Sequence, residues 1–349
     1  MTIHTIDPMT DPRWDTLVGK HPKASVFHAA TWLRSIRDTY GHESLALTTC
    51  SPNESLTSAL VLCRVKSWIT GNRIVSLPFA DHCDPLTSSE EETANYLHSL
   101  AQYSEEKGYK YVELRPTTAL SGDLMAQDSF SGCAGYAFHT LDLEPAIDEL
   151  WRGLHHSCIR RKVQRARRES LVTEWGRNER LLGMFYQLMV ETRRRHQLPP
   201  QPIHWFRSLI RNYGDDAVLW VASREERPVA AILTIAGSQA VVYKYGCSSA
   251  QDHNLGGMPL LFWHAIEYAK ARGARIFDFG RSDLDNPGLI AFKGHWGTKY
   301  STLTYYRNGQ RSMVPEHDSK RLRMARHLFA RFPESCLVAA GRILYKHMG

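Results

Sequence analysis

Missing from these 349 residues is any run approaching the roughly 18 apolar residues that a membrane-crossing helix needs. Mean hydropathy is -0.38, on the polar side. The first residues, MTIHTIDPMTDPRW, carry acids and prolines where a secretory signal would carry lysines and an apolar core, so a cytoplasmic location is expected. Cysteines at C-x-x-C spacing are missing too. The seven present (Cys50, Cys63, Cys83, Cys133, Cys158, Cys247 and Cys336) are scattered, which suits a reducing compartment and argues against a disulfide framework or structural zinc. His155-His156-x-Cys158 has no partner set at zinc spacing. G-x-S-x-G, Walker A and H-E-x-x-H motifs are absent, which removes the commonest hydrolase, nucleotidase and zinc-protease readings.

What is present is positive charge, unevenly placed. The formal net charge is +7. Arg152, Arg160, Arg161, Lys162, Arg165, Arg167 and Arg168 form one cluster; Lys320, Arg321, Arg323, Arg326 and Arg331 form another. Such clusters attract phosphates, nucleic acid or anionic lipid, or are solvated helix faces. In KRLRMARHLFARF, Leu322, Ala325, Leu328, Phe329 and Phe332 recur at helical spacing between arginines. That pattern fits a helix lying on anionic lipid or one packed on the first domain.

The chain also repeats itself. TWLRSIRDTYG (Thr31–Gly41) returns as HWFRSLIRNYG (His204–Gly214), both reading W-x-R-S-x-x-x-x-Y-G. EEKGYKYVELRP and AKARGARIFDFGR share a second layout, a helix end, a glycine stop at Gly108 or Gly273, then a strand holding Glu113 or Asp278. Two matched pairs half a chain apart imply duplication. Each copy reads as a helix, strands rich in β-branched residues, a further helix and a returning strand. Leu150–Ser170 reads as a joining helix with Ile159, Val163 and Ala166 on one stripe. The expected fold is α/β (α+β): tandem domains over 1–145 and 146–310 with mixed sheets, and a helical tail over 311–349.

This order of elements is that of the N-acetyltransferase (GNAT-like) fold. There the loop after the fourth strand cradles a pyrophosphate on backbone N–H groups at a helix N-terminus. The corresponding loop here, SSAQDHNLGGMPLL, offers Asn254, Gly256 and Gly257 as donor-binding candidates, or is a plain Gly-Gly turn capping a helix.

With the RRKVQRARRES helix, the YKYG strand, the FDFGRSD strand end and above all AFKGHWG, the chain resembles the FemAB/FemX-like peptidoglycan aminoacyltransferase group. Its second half resembles the BioF2-like acetyltransferase domain of the GNAT superfamily. The resemblance implies acyl transfer to an amine or hydroxyl of a cell-envelope precursor of peptidoglycan or exopolysaccharide type. It implies acyl-CoA or aminoacyl-tRNA as co-substrate, with no permanently bound cofactor. It places Phe292 and Lys293 beside the acyl carbonyl, with Lys293 facing the developing negative charge and Trp296 as an aromatic wall. The tRNA-gripping helical hairpin of some members is missing, which puts tRNA in doubt.

Other candidates come from the residues themselves. Tyr243 and Tyr245 alternate along a strand, which would put both rings on one face, to bind substrate or simply to pack. Asp278 and Arg281 sit at a strand end, where α/β folds place ligands. Asp283-x-Asp285-Asn286 hints at a calcium loop, but Gly294 stands where the closing Glu should be, so no metal is expected. Asp81 and His82 are candidate proton acceptors or turn formers, and Arg194 and Arg195 suit a phosphate-bearing substrate or a helix C-terminus. The expected partners are an anionic small molecule or glycan precursor, tRNA, and the inner face of the membrane as a peripheral contact. A non-catalytic accessory protein binding an anionic glycan precursor is the alternative.

Overall fold

Two helices of equal length carry the repeated motif, Ala30–Tyr40 and Ile203–Tyr213. Each buries the same face: Trp32, Ser35 and Tyr40 in one, Trp205, Ser208 and Tyr213 in the other. The computed structural model describes residues 3–122, 125, 130–309, 329 and 332–348. Two units emerge. The first comprises Met1–Tyr136, Thr302–Ser319 and Ile343–Gly349; the second comprises Ala137–Ser301 and Lys320–Arg342.

The first unit runs β1 (His4–Ile6), α1 (Trp14–Lys20), α2 (Ala30–Tyr40), β2 (Glu43–Thr48), β3 (Leu60–Val65), β4 (Arg73–Val75), α3 (Glu90–Glu106) and β5 (Tyr111–Leu114). The strand β6 (Ser131–Asp142) begins in this unit and ends in the second. There follow α4 (Ile147–Gly153), α5 (Arg161–Arg168), β7 (Val172–Gly176), α6 (Glu179–Arg195), α7 (Ile203–Tyr213), β8 (Ala217–Arg224), β9 (Arg227–Ala236) and β10 (Ala240–Ser248). Then come α8 (Gly257–Ala271), β11 (Ile276–Asp283), α9 (Pro287–Gly294), β12 (Lys299–Gly309) and, after Pro333, α10 (Glu334–Leu344).

Strand order shows the duplication directly. In the first unit it is β1-β2-β3-β4-β5-β12, and in the second β7-β8-β9-β10-β11-β6. Each begins with four antiparallel strands. Each then adds one parallel strand, β5 on β4 or β11 on β10. Parallel neighbours need a crossover, supplied by α3 and α8. The sixth strand is exchanged: β12, which follows β11 in sequence, pairs antiparallel with β5 of the first unit. Pairing over such a sequence distance leaves no local pattern to read.

Each unit has its own core. In the first, Tyr96, Leu97 and Leu100 of α3 lie on Leu60, Leu62, Ile74 and Val112. In the second, Leu261, Phe262, Ala265 and Ile266 of α8 lie on Ile232, Phe277 and Phe279. Each fully buried large side chain contributes about 1.5–3 kcal/mol.

The expected single helix over Leu150–Ser170 is broken. α4 stops at Gly153, and a π-turn over His156–Arg160 precedes α5. His155 starts that turn, its Nδ1 accepting the Cys158 N–H at 3.2 Å. Ile159, Val163 and Ala166 do share one buried stripe. The basic amphipathic stretch lies outside the described residues apart from Phe329 and Phe332. Among the described residues no helix is long and apolar enough to cross a membrane.

Candidate functional site

In the second unit the parallel pair β10/β11 is joined at only three positions, Ala240↔Ile276, Val241↔Phe277 and Val242↔Asp278. Both strands continue, to Ser248 and Asp283, without pairing further with each other. On its other edge β10 stays hydrogen-bonded to β9 as far as Ser248↔Ala230, with a bulge between Tyr243 and Tyr245. A bulge bends and twists its strand, so β10 turns away from β11 and a wedge opens between them. The backbone of both strands lines this wedge, where an extended ligand can lie along the β10 edge.

The bulge corrects the expectation for the two tyrosines. Tyr243 and Tyr245 pair with successive residues, Thr234 and Leu233, because Lys244 is the extra residue between them. Their rings therefore point to opposite faces. Tyr243 packs on Phe262 of α8, with ring centroids 4.5 Å apart. Tyr245 is buried against Phe206 and accepts the Trp205 Nε1–H at 2.9 Å.

The loop after β10 leads into α8, whose N-cap Gly256 offers no side-chain cap. First-turn N–H groups of a helix have no internal partner, and Pro259 contributes none, leaving those of Gly257 and Met258. Both glycines are also required by packing. Gly256 has φ +82°, and a Cβ there would meet the Lys162 carbonyl oxygen at 2.2 Å. Gly257 lies against Ala230 and Val229 of β9. Asn254 is exposed in the preceding turn. Around this end cations gather: His253 titrates below its usual range through burial first, then the charges of Arg195 and Lys162. Arg195 donates to the Ser248 carbonyl at 3.0 Å and, with Arg194, Glu191, Gln197 and Ala250, lines a cavity of about 380 Å³.

On the β11 side, Lys293 projects from α9 and is 2% exposed. Its Nζ donates to the carbonyls of Gly280 (2.8 Å) and Arg281 (2.9 Å). Successive carbonyls of a regular strand point opposite ways. Gly280, at φ +68°, breaks that alternation and lets both face one ammonium. Asp278, also buried, accepts the Gly280 N–H at 2.6 Å and holds the same kink. Arg281 is half-buried beside it. Phe292 packs half-buried on Phe262. Trp296 is 1% exposed within the aromatic core of Phe262, Phe279 and Phe292, so here it is a core ring and not an open wall.

The sequence reading missed His139 on β6. It is 2% exposed, its Nδ1 has no hydrogen-bond partner, and it titrates below its usual range through burial and then the charge of Lys293. Nothing in its neighbours marks it; it matters because β6 lies beside β11.

Asp81 and His82 belong to the first unit. The Asp81 carbonyl accepts the Tyr305 hydroxyl at 2.6 Å, and His82, buried, meets Phe27 edge-on. Alongside, Glu113, the counterpart of Asp278, is held below the usual carboxylate range by Arg115 and Arg307 despite burial. It bonds Arg115 Nε at 2.9 Å and Arg307 Nε at 2.7 Å.

The fold also brings His295 to His155 and Cys158, with potential ligand atoms within 4.8 Å of one another. His155 Nδ1 already caps the π-turn, and Lys162 is close enough to help depress His295.

A bulged strand splayed from a parallel neighbour, beside a helix N-terminus with no side-chain cap, is the layout of a GNAT-type fold. Residues 155–293 match the family model described as an acetyltransferase (GNAT) domain. The fold as a whole is similar to that of FemX, at 15% identity, covering 87% of this chain and 97% of that one with a TM-score of 0.68. It is also similar to a tandem GNAT protein from the clavulanic acid biosynthesis pathway, solved without AcCoA (13% identity, 89% and 100% coverage, TM-score 0.54). L-PGS from Bacillus licheniformis matches as well (17% identity, 78% and 86% coverage, TM-score 0.51). No curated protein matches in sequence.

Proposed function

We propose that the chain is an acyltransferase that moves an acyl or aminoacyl group from acyl-CoA or aminoacyl-tRNA to an amine or hydroxyl of a cell-envelope precursor. The observation that carries this reading is the wedge between β10 and β11, opening where α8 presents its N-terminus. An extended pantetheine-like arm would lie along the edge of β10 that faces the wedge, and the donor phosphates would meet the Gly257 and Met258 N–H groups near Lys162 and Arg195. A 3′-terminal nucleotide would use the same cations. The resemblance of the sequence motifs to the FemAB/FemX-like group favours an envelope precursor as acceptor; the likeness to a tandem GNAT protein whose structure is named by reference to AcCoA favours acyl-CoA as donor.

In the reaction the acceptor nitrogen or oxygen bonds to the acyl carbon, and the carbonyl becomes an oxyanion. Collapse expels the thiolate of CoA, or the ribose oxygen of tRNA as it takes up the proton that the acceptor has lost. Lys293, its head group fixed by two carbonyls, is the cation we assign to the oxyanion. His139, neutral at pH 7, is the assigned acceptor of the proton lost by the incoming group. No metal or redox step is needed.

Thermal unfolding with acetyl-CoA and, separately, aminoacyl-tRNA tests the reading. A donor at about 100 times its Kd stabilises by about 2.7 kcal/mol. One of the two should raise the melting temperature and then lose its acyl group to an added amine; flat melts with both would reject the proposal.

A further inference from the structure

In the first unit, the strongly exposed large apolar side chains among the described residues fall in two short segments. Trp68 (84% exposed) and Ile69 (47%) form the tip of the β3–β4 hairpin; Ile343 (62%), in the last turn of α10, and Met348 (42%) belong to the C-terminal segment. The two segments are tied together. The Ser67 hydroxyl accepts the N–H groups of Ile69 (3.2 Å) and Thr70 (2.9 Å) and lies 3.1 Å from His347 Nδ1. The His347 carbonyl accepts Thr70 Oγ1 and Arg73 Nη2, each at 3.0 Å. The Trp68 ring therefore stands in solvent on a bonded turn, edge-on to His347 at 5.4 Å.

Beside the tip is a cavity of about 310 Å³ whose lining includes Arg64, Lys66, Lys346, His42 and one acid, Glu43. Glu43 is engaged by Lys66 (2.9 Å) and Arg64 (3.5 Å), so positive charge is left over. His42 is 4% exposed, and its Nε2 has no hydrogen-bond partner. Burial pushes it down to about 4, with Arg73, Lys346 and His347 adding to the effect.

We propose that this face of the first unit docks on an anionic lipid surface, with Trp68 and Ile69 entering the interface and a headgroup phosphate seated in the adjoining cationic cavity. Tryptophan favours the level of lipid headgroups, and each nearby Lys or Arg strengthens attraction to anionic lipid. An isolated exposed side chain needs no explanation; exposed apolar residues on an ordered tip beside an acid-poor cavity mark an interaction site. Lipid is favoured over a protein partner by this charge, since protein interfaces deplete lysine.

The experiment is flotation of the full chain with phosphatidylcholine vesicles, with and without phosphatidylglycerol. The chain should float with phosphatidylglycerol only. The double variant Trp68→Ser/Ile69→Ser should weaken partitioning more than about tenfold. Lys66→Glu and Lys346→Glu should each weaken it about fivefold or more. These side chains are at the surface, and unchanged melting confirms folding. Free glycerol phosphate separates the two sources of the anion: binding to it without vesicle binding overturns the proposal. So does a chain that stays unbound, or a Trp68→Ser/Ile69→Ser chain that floats like its parent. None of these outcomes touches the acyl-transfer reading, which is assayed with soluble donors.

Discussion

Lys293 is where the structure adds most to the sequence reading. Buried on two carbonyls, it cannot be replaced without structural cost. Lys293→Met orphans both acceptors, at about 1–3 kcal/mol each. We expect lower thermal stability together with a turnover loss of about a hundredfold to a thousandfold. Lys293→Arg should regain part of the stability and less of the turnover, because a planar fork places its charge differently. If turnover per folded molecule were unchanged in both variants, Lys293 would be a brace for the Gly280 kink and nothing more. The histidines give a pH prediction. Burial holds His28 and His42 near 4, against an ordinary value of 6.5. Between those values the unfolded chain binds protons that the folded chain refuses, so stability falls as pH drops from about 6.5 to 4. Each histidine contributes up to about 3 kcal/mol to that loss. Urea midpoints at pH 7 and pH 4.5 measure it, and His42→Gln should shallow the decline.

Elements were legible where the cause was local. W-x-R-S-x-x-x-x-Y-G named two equivalent helices because burial of Trp32 and Trp205 repeats with helical period. The stops at Gly108 and Gly273 followed from left-handed conformations that glycine adopts freely, φ +65° and +79°. Long-range causes were not legible. Alternation along Tyr243-Lys244-Tyr245 gave the wrong face for one ring because a bulge adds a residue without altering composition. Gly256 reads in sequence as a donor-binding turn or a helix-capping one; what sequence does not show is that its close neighbour is the Lys162 carbonyl of a distant helix. That difference can be measured. Gly273→Ala meets no atom within 4 Å and should cost only the left-handed penalty, about 1–2 kcal/mol. Gly256→Ala adds a collision with backbone, so chemical denaturation should show a loss of more than about 2 kcal/mol beyond that. Equal losses would mean that α5 and α8 yield easily at this junction.

For the whole molecule, duplication was readable and exchange of the sixth strand was not. A fragment ending at residue 145 would contain every first-unit strand except β12, leaving the β5 edge unpaired. It should fail to unfold cooperatively in circular dichroism, and addition of the 146–349 fragment should restore a transition. A sharp transition from 1–145 alone would show that β12 is dispensable. The central claim, that the wedge in the second unit receives an acyl donor, is tested most directly by hydrogen–deuterium exchange of the full chain with acetyl-CoA and, in parallel, with aminoacyl-tRNA. The account predicts that one donor slows exchange at residues 243–249 and 257–260, the wall of β10 and the first turn of α8. Unchanged exchange there with both donors, or protection confined to other segments, would contradict it.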